Sequence, residues 1–322
     1  MTIVVSAIRV PPGQVIVPGQ VIVSGQVIVL ELPFFELIEA LLRPDIPFFR
    51  QAFLVGILAS VAFGIVGTYV VVKRISYLAG AIAHCVLGGI GIGLYLQHKV
   101  GLTWFDPIYG AMISALLAAL IIGLVSIYAK QREDTVIGAL WASGMAIGLI
   151  FIAKTPGYVE PMSYLFGNIL LVSPADIWRV VSLNLVVVGV VILFYHKFLA
   201  VCFDEEFARL QGLNTTFYNL LLLCLTALTV VLLMRVVGII MVIALLTLPA
   251  AVAGTFSRTL GQMMLGATFC CLLFVVVGLS LSFTQDLPSG PTIILVAAAV
   301  YFVVLVFNRR KVRHPGKLPR RR

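Results

Sequence analysis

Residues 73–91 read Lys-Arg-Ile-Ser-Tyr-Leu-Ala-Gly-Ala-Ile-Ala-His-Cys-Val-Leu-Gly-Gly-Ile-Gly. Lys73 and Arg74 end one apolar run, and a second begins almost at once. An apolar run of about 20 residues crosses a bilayer as a helix, so cations between two such runs mark a turn at a membrane surface. Inside the second run sits His84, the most deeply placed ionisable residue of the chain. An ionisable group inside a span is costly and reads by default as functional, facing a bundle interior or an aqueous path. The alternative is a neutral histidine that ties two helices together through a hydrogen bond.

The same pattern recurs along the chain. Hydrophobic residues make up 61% and charged residues 11%, against roughly 25% charged in a soluble globular protein. This is a multi-pass membrane protein. About nine spans are expected: Gln51 to Val72, Ala79 to Leu96, Ile108 to just before Lys130, Thr135 to Lys154, Val180 to Phe194, Tyr218 to Met234, Val237 to Val252, Leu260 to Ser282, and Thr292 to Phe307. The net charge is +9, but eight cations and no acid lie from Arg309 to the end, which leaves +1 for the rest. Residues 309–322 therefore read as a basic cytoplasmic tail against anionic lipid headgroups, and nucleic-acid binding is not supported. Cations in the short loops place Lys73, Lys130, Lys197 and Arg258 on that same side.

Residues 1–33 carry a Gly-Gln-Val-Ile-Val repeat from Gly13 onward. The Val-Ile-Val triplets favour strand, and the Gly and Pro punctuation excludes a spanning helix. This is a low-complexity extension ahead of the membrane domain at 34–308. The glycines around His84, among them Gly80 and Gly88, allow close helix packing. They also leave a bare surface on which a substrate path could run. Pro249 kinks or ends the seventh span.

The thirteen acids fall almost entirely in loops, which argues against a relay of buried carboxylates. His-Glu-x-x-His and the Walker phosphate loop are both absent, so neither an intramembrane zinc protease nor ATP binding by this chain is supported. The five cysteines show no metal-type spacing. One polar patch stands out, Asp204-Glu205-Glu206-Phe207-Ala208-Arg209-Leu210-Gln211-Gly212. Acids at its start and a glycine at its end suit a short helix. It is either an ordinary solvated loop or a docking element.

Five blocks in order resemble the permeases of the zinc/manganese/iron ABC importer family. They are Val71–Ser76 with Ala83–Gly89, Asp134–Gly138 with Ser163–Leu170, Phe203–Gly212, Val237–Val242 through Ala250, and Asp286–Pro291. The resemblance implies an all-α polytopic transmembrane helical bundle of importer type, in a bacterial inner or plasma membrane. It implies a transport subunit, not an enzyme. The cargo would be a divalent cation (zinc, manganese or iron), with no resident cofactor. Partners would be a cytoplasmic ABC ATPase, an extracytoplasmic metal-binding protein and a second permease chain, identical or related. Asp204, Glu206, Ala208 and Gly212 would form the ATPase-coupling loop, and His84 the metal ligand in the path, flanked by Gly80, Gly88 and Pro249. A secondary transporter or a membrane enzyme is the alternative class. One departure is visible. The family commonly has Gly-Asp-x-x-x-His, and this chain has Gly80 where that Asp stands. A lone imidazole is a poor cage for a divalent ion.

Overall fold

The computed structural model describes residues 6–8, 20–23, 26–29, 47–102, 104–128, 133–156, 167, 169 and 172–312. Three short strands come first: β1 (Ser6–Ile8), β2 (Gln20–Val23) and β3 (Gln26–Val29). They form an antiparallel sheet in the order β1-β3-β2. The second and third Gln-Val-Ile-Val copies thus pair with each other, as β-branched triplets favour.

The helices of the bundle are α1 (Pro47–Val72), α2 (Ser76–His98), α3 (Pro107–Tyr128), α4 (Glu133–Lys154), α5 (Pro174–Phe203), α6 (Glu205–Leu210), α7 (Thr215–Val237), α8 (Ile239–Gly254), α9 (Leu260–Thr284) and α10 (Ser289–Val312). Among the described residues eight helices are long and apolar enough to cross a membrane, and α8 is shorter. Its 16 residues rise about 24 Å, less than the ~30 Å hydrocarbon core. The expected break at Arg235 lies instead at Gly238, whose φ of 82° suits glycine. Arg235 stays helical, and its guanidinium pairs with Asp106 and with Asp176. Pro174 belongs to α5, because Ser173 and Asp176 form a capping box there.

Ion pairs sort the helix ends into two faces. Lys73, at the end of α1, meets Glu205 at the start of α6 at 3.4 Å. Arg235, near the end of α7, lies 3.8 Å from Asp106 and 3.6 Å from Asp176, which precede or open α3 and α5. This alternation matches the expected passage of each span. By the expectation from loop cations, the Lys73 face is the one that would look into the cytoplasm. The basic tail lies outside the described residues beyond Val312, as do Ser163–Phe166, Asn168 and Leu170 of the second motif block.

The core is built around α2. Every residue from Ala79 to Gly91 is buried. Polar side chains are not what brings its neighbours so close. A Cβ on Gly88 would stand 2.8 Å from the Gly144 carbonyl oxygen, and one on Gly91 2.4 Å from that of Gly148, both on α4. On the other side a Cβ on Gly89 would stand 2.1 Å from the Gly110 carbonyl of α3. Small residues let backbones touch, which is how helices associate where lipid removes the hydrophobic drive between them. The glycine face is thus occupied by helices, and Gly88 serves packing. A second group, α1 with α8, α9 and α10, closes on α7, which also contacts α2, α3 and α5.

The corner between α1 and α2 is tight. Arg74 adopts φ 60°, its N–H donates to the Val71 carbonyl, and that of Ile75 donates to Val70. These two bonds make a Schellman cap without glycine.

Candidate functional site

His84 lies eight residues into α2, because that helix starts at Ser76, one turn earlier than its apolar run suggests. This places it about 12 Å along the helix, well inside the span. Its imidazole stacks on Trp141 of α4, with ring centroids 4.4 Å apart and planes 19° from parallel. Tyr77 packs on the same indole at 5.9 Å. Nδ1 of His84 is buried and has no hydrogen-bond partner. An orphaned buried nitrogen costs about 1–3 kcal/mol, so this histidine is not holding helices together through that atom. In the neutral tautomer protonated at Nε2, Nδ1 is a positioned, unused electron-pair donor.

Gly80 lies one turn before His84, beside the indole of Trp141. A Cβ there would contact Trp141 at 3.4 and 3.7 Å, ordinary packing distances. Gly80 and His84 thus share one face, under one aromatic cover. Cys85 does not join them, since its thiol donates to the Leu140 carbonyl at 3.3 Å. Among the described residues no group of three His, Cys, Asp or Glu could hold a metal. Among the described residues of one chain, an ion at this face would meet a single strong ligand. Pro249 sits in α8, packed on α1, α9 and α10.

These distances carry a prediction. Gly80→Asp fits its Cβ beside the indole and puts a carboxylate one turn from His84 on the same face. The purified variant should retain divalent metal about tenfold more tightly than the parent, measured by elemental analysis after gel filtration. Gly80→Asp combined with His84→Ala should lose that gain. Equal retention in both would place the bound metal elsewhere.

The polar patch is the second part of the site. Asp204 caps α6, its carboxylate accepting from the Phe207 N–H at 2.9 Å. Gly212, with φ 81°, ends it. The Leu213 N–H donates to the Ala208 carbonyl and the Gly212 N–H to that of Arg209, a second Schellman cap. Glu206 is exposed. Ala208 is fully enclosed, at 0% exposure, so it seats the small helix on its own chain and cannot touch another protein. The outward residues are Phe203, Phe207 and Leu210, at 68%, 55% and 86% exposure. The sequence reading passes over them, although apolar residues at i, i+4 and i+7 in a polar loop are a legible amphipathic signal. Trp141 carries no comparable signal, because its partner His84 lies on another helix.

Residues 45–308 match the model of the ABC 3 transport family. A probable metal transport system membrane protein of Chlamydia pneumoniae is 39% identical over 277 residues, spanning 85% of this chain and 94% of its own. The manganese transport system membrane protein MntC of Listeria monocytogenes is 31% identical over 260 residues, 81% of this chain and 90% of its own. A solved chain of PsaBC from Streptococcus pneumoniae in complex with Fab superposes with a TM-score of 0.74 at 28% identity, covering 84% of this chain and 95% of that one.

Proposed function

The chain belongs to the ABC 3 transport family, and from that premise we propose that it is the membrane permease of an ATP-driven importer for a divalent metal, zinc, manganese or iron. The likeness across nearly the whole bundle to proteins named for metal or manganese transport carries this reading. The cargo would enter from an extracytoplasmic metal-binding protein and leave to the cytoplasm past His84. A second permease chain, identical or related, would supply the ligands that one chain lacks. Neutral imidazole suits borderline cations, and a single strong ligand per chain holds a cation weakly enough to let it go.

Hydrolysis would occur in a separate cytoplasmic ATPase, docked on the exposed apolar face of α6. Asp204 and Gly212 frame that helix, Ala208 seats it, and Phe207 and Leu210 make the contact. Glu206, solvent-facing beside them, adds charge at the rim, where it acts on encounter more than on affinity.

Deleting the chain from its host and measuring cell metal content element by element tests the proposal. One of the three metals should fall, and extra supply of that metal should restore growth. No change in any transition metal would overturn the reading.

A further inference from the structure

We propose that Lys73 links the α6 loop helix directly to the helix that carries His84, and so acts as a positioning residue for translocation. The inference rests on the permease reading and adds a mechanical part to it. The Lys73 ammonium is 3.4 Å from Oε2 of Glu205 and donates to Oδ1 of Asn219. The Asn219 amide in turn donates to Oε1 of Glu205 at 3.0 Å. The three side chains close a triangle whose corners lie at the end of α1, at the start of α6 and in the first turns of α7.

Lys73 is poorly exposed, at 14%. Glu205 is 41% exposed and its contact with Lys73 is long for a charge-assisted bond, so the Asn219 amide, bonded to both side chains, completes the grip. The other cation on Glu205 is Arg209, which is far more exposed and stands at 3.8 Å within α6 itself. It cannot connect the helix to anything else.

The grip on Lys73 matters because the next two residues form the closed corner into α2, with Arg74 and Ile75 both bonded back to α1. No slack lies between Lys73 and Ser76, and His84 is two turns beyond. The backbone of α6 packs on α5 and α7, and the Lys73 triangle adds a side-chain tie from α6 to the α1–α2 corner. A cavity of about 300 Å³ opens beside the triangle, lined by Lys73, Glu205, Arg209, Asn219 and Thr216, and gives these groups room to shift. A push on α6 would therefore reach the α1–α2 corner, and with it the Trp141-covered face, through one ion pair.

The test uses the complete transporter in proteoliposomes, with metal uptake and ATP hydrolysis measured together. Lys73→Met should keep ATPase co-purification and hydrolysis, while metal moved per ATP falls about tenfold, a size typical of coupling between sites. Glu205→Gln keeps a partner for Asn219, removes the charge and should uncouple in the same direction. Exchanging the pair, Lys73→Glu with Glu205→Lys, should recover most of the ratio. A parent-like ratio in either single variant overturns the proposal, as does an exchange that assembles and hydrolyses ATP but stays uncoupled. If Lys73→Met does not reach the membrane, Glu205→Gln alone decides. Failure of the parent complex to move metal is a different result, which overturns the permease reading itself.

Discussion

His84→Ala is expected to cut metal uptake per permease molecule at least about tenfold, the scale on which even supporting residues of metal sites act. Nδ1 of the imidazole is buried and unpartnered, the neighbouring Cys85 thiol is bonded to Leu140, and no group of three His, Cys, Asp or Glu among the described residues could hold a metal. Folding should survive. The variant loses the stack on Trp141, worth about 0.5–1.5 kcal/mol, but also removes an unsatisfied polar atom whose burial is unfavourable by a similar amount. Permease in the membrane should therefore stay near the parent level, and uptake normalised to that amount is the measurement. Normalised uptake equal to the parent would remove His84 from the path. A loss of protein with unchanged uptake per molecule would make it a packing residue.

Leu210→Asp should abolish co-purification of the ATPase and, with it, ATP-driven uptake. Leu210 is 86% exposed at the end of α6 beside Phe207. Such apolar anchors, once enclosed by a partner, typically contribute about 2 kcal/mol or more each, or about 30-fold in affinity. A carboxylate at the same place would also be buried unpaired, which adds several kcal/mol of penalty. Free in the membrane, the variant should be as stable as the parent, because the side chain touches little of its own chain. Ala208→Asp is not an equivalent probe. Ala208 is enclosed between α6 and the permease body, and a charge there would unseat the helix. The two variants separate docking from local folding through permease yield, which should fall only for Ala208→Asp. Unchanged co-purification with Leu210→Asp would move the docking surface off α6.

Much of this was legible in the linear sequence because the physics is local. Whether a segment spans depends on its own length and apolarity, so all but one of the apolar helices lie within a few residues of their expected bounds; α5, expected from Val180 to Phe194, runs from Pro174 to Phe203. Capping is also local. Asp204 and Gly212 bound α6 as expected, since an N-cap carboxylate and a left-handed glycine act within one turn. The position of His84 inside a span follows from hydropathy alone.

What lies across from each residue was not legible. The glycines near His84 fit a packed surface or an open path equally well until α3 and α4 are seen resting on them. Gly80 reads as a missing ligand in the sequence, and in the fold it lies against Trp141 with room for a Cβ. Ala208 reads as a contact residue and turns out to be buried, while Phe207 and Leu210 face outward. The bond of Lys73 to Glu205 joins residues on opposite sides of four spans of chain. Helical periodicity says which residues share a face and nothing about which helix covers that face. That choice is made by the register of backbones packed at glycines, where a single added carbon would shift the interface, and only the tertiary structure decides it.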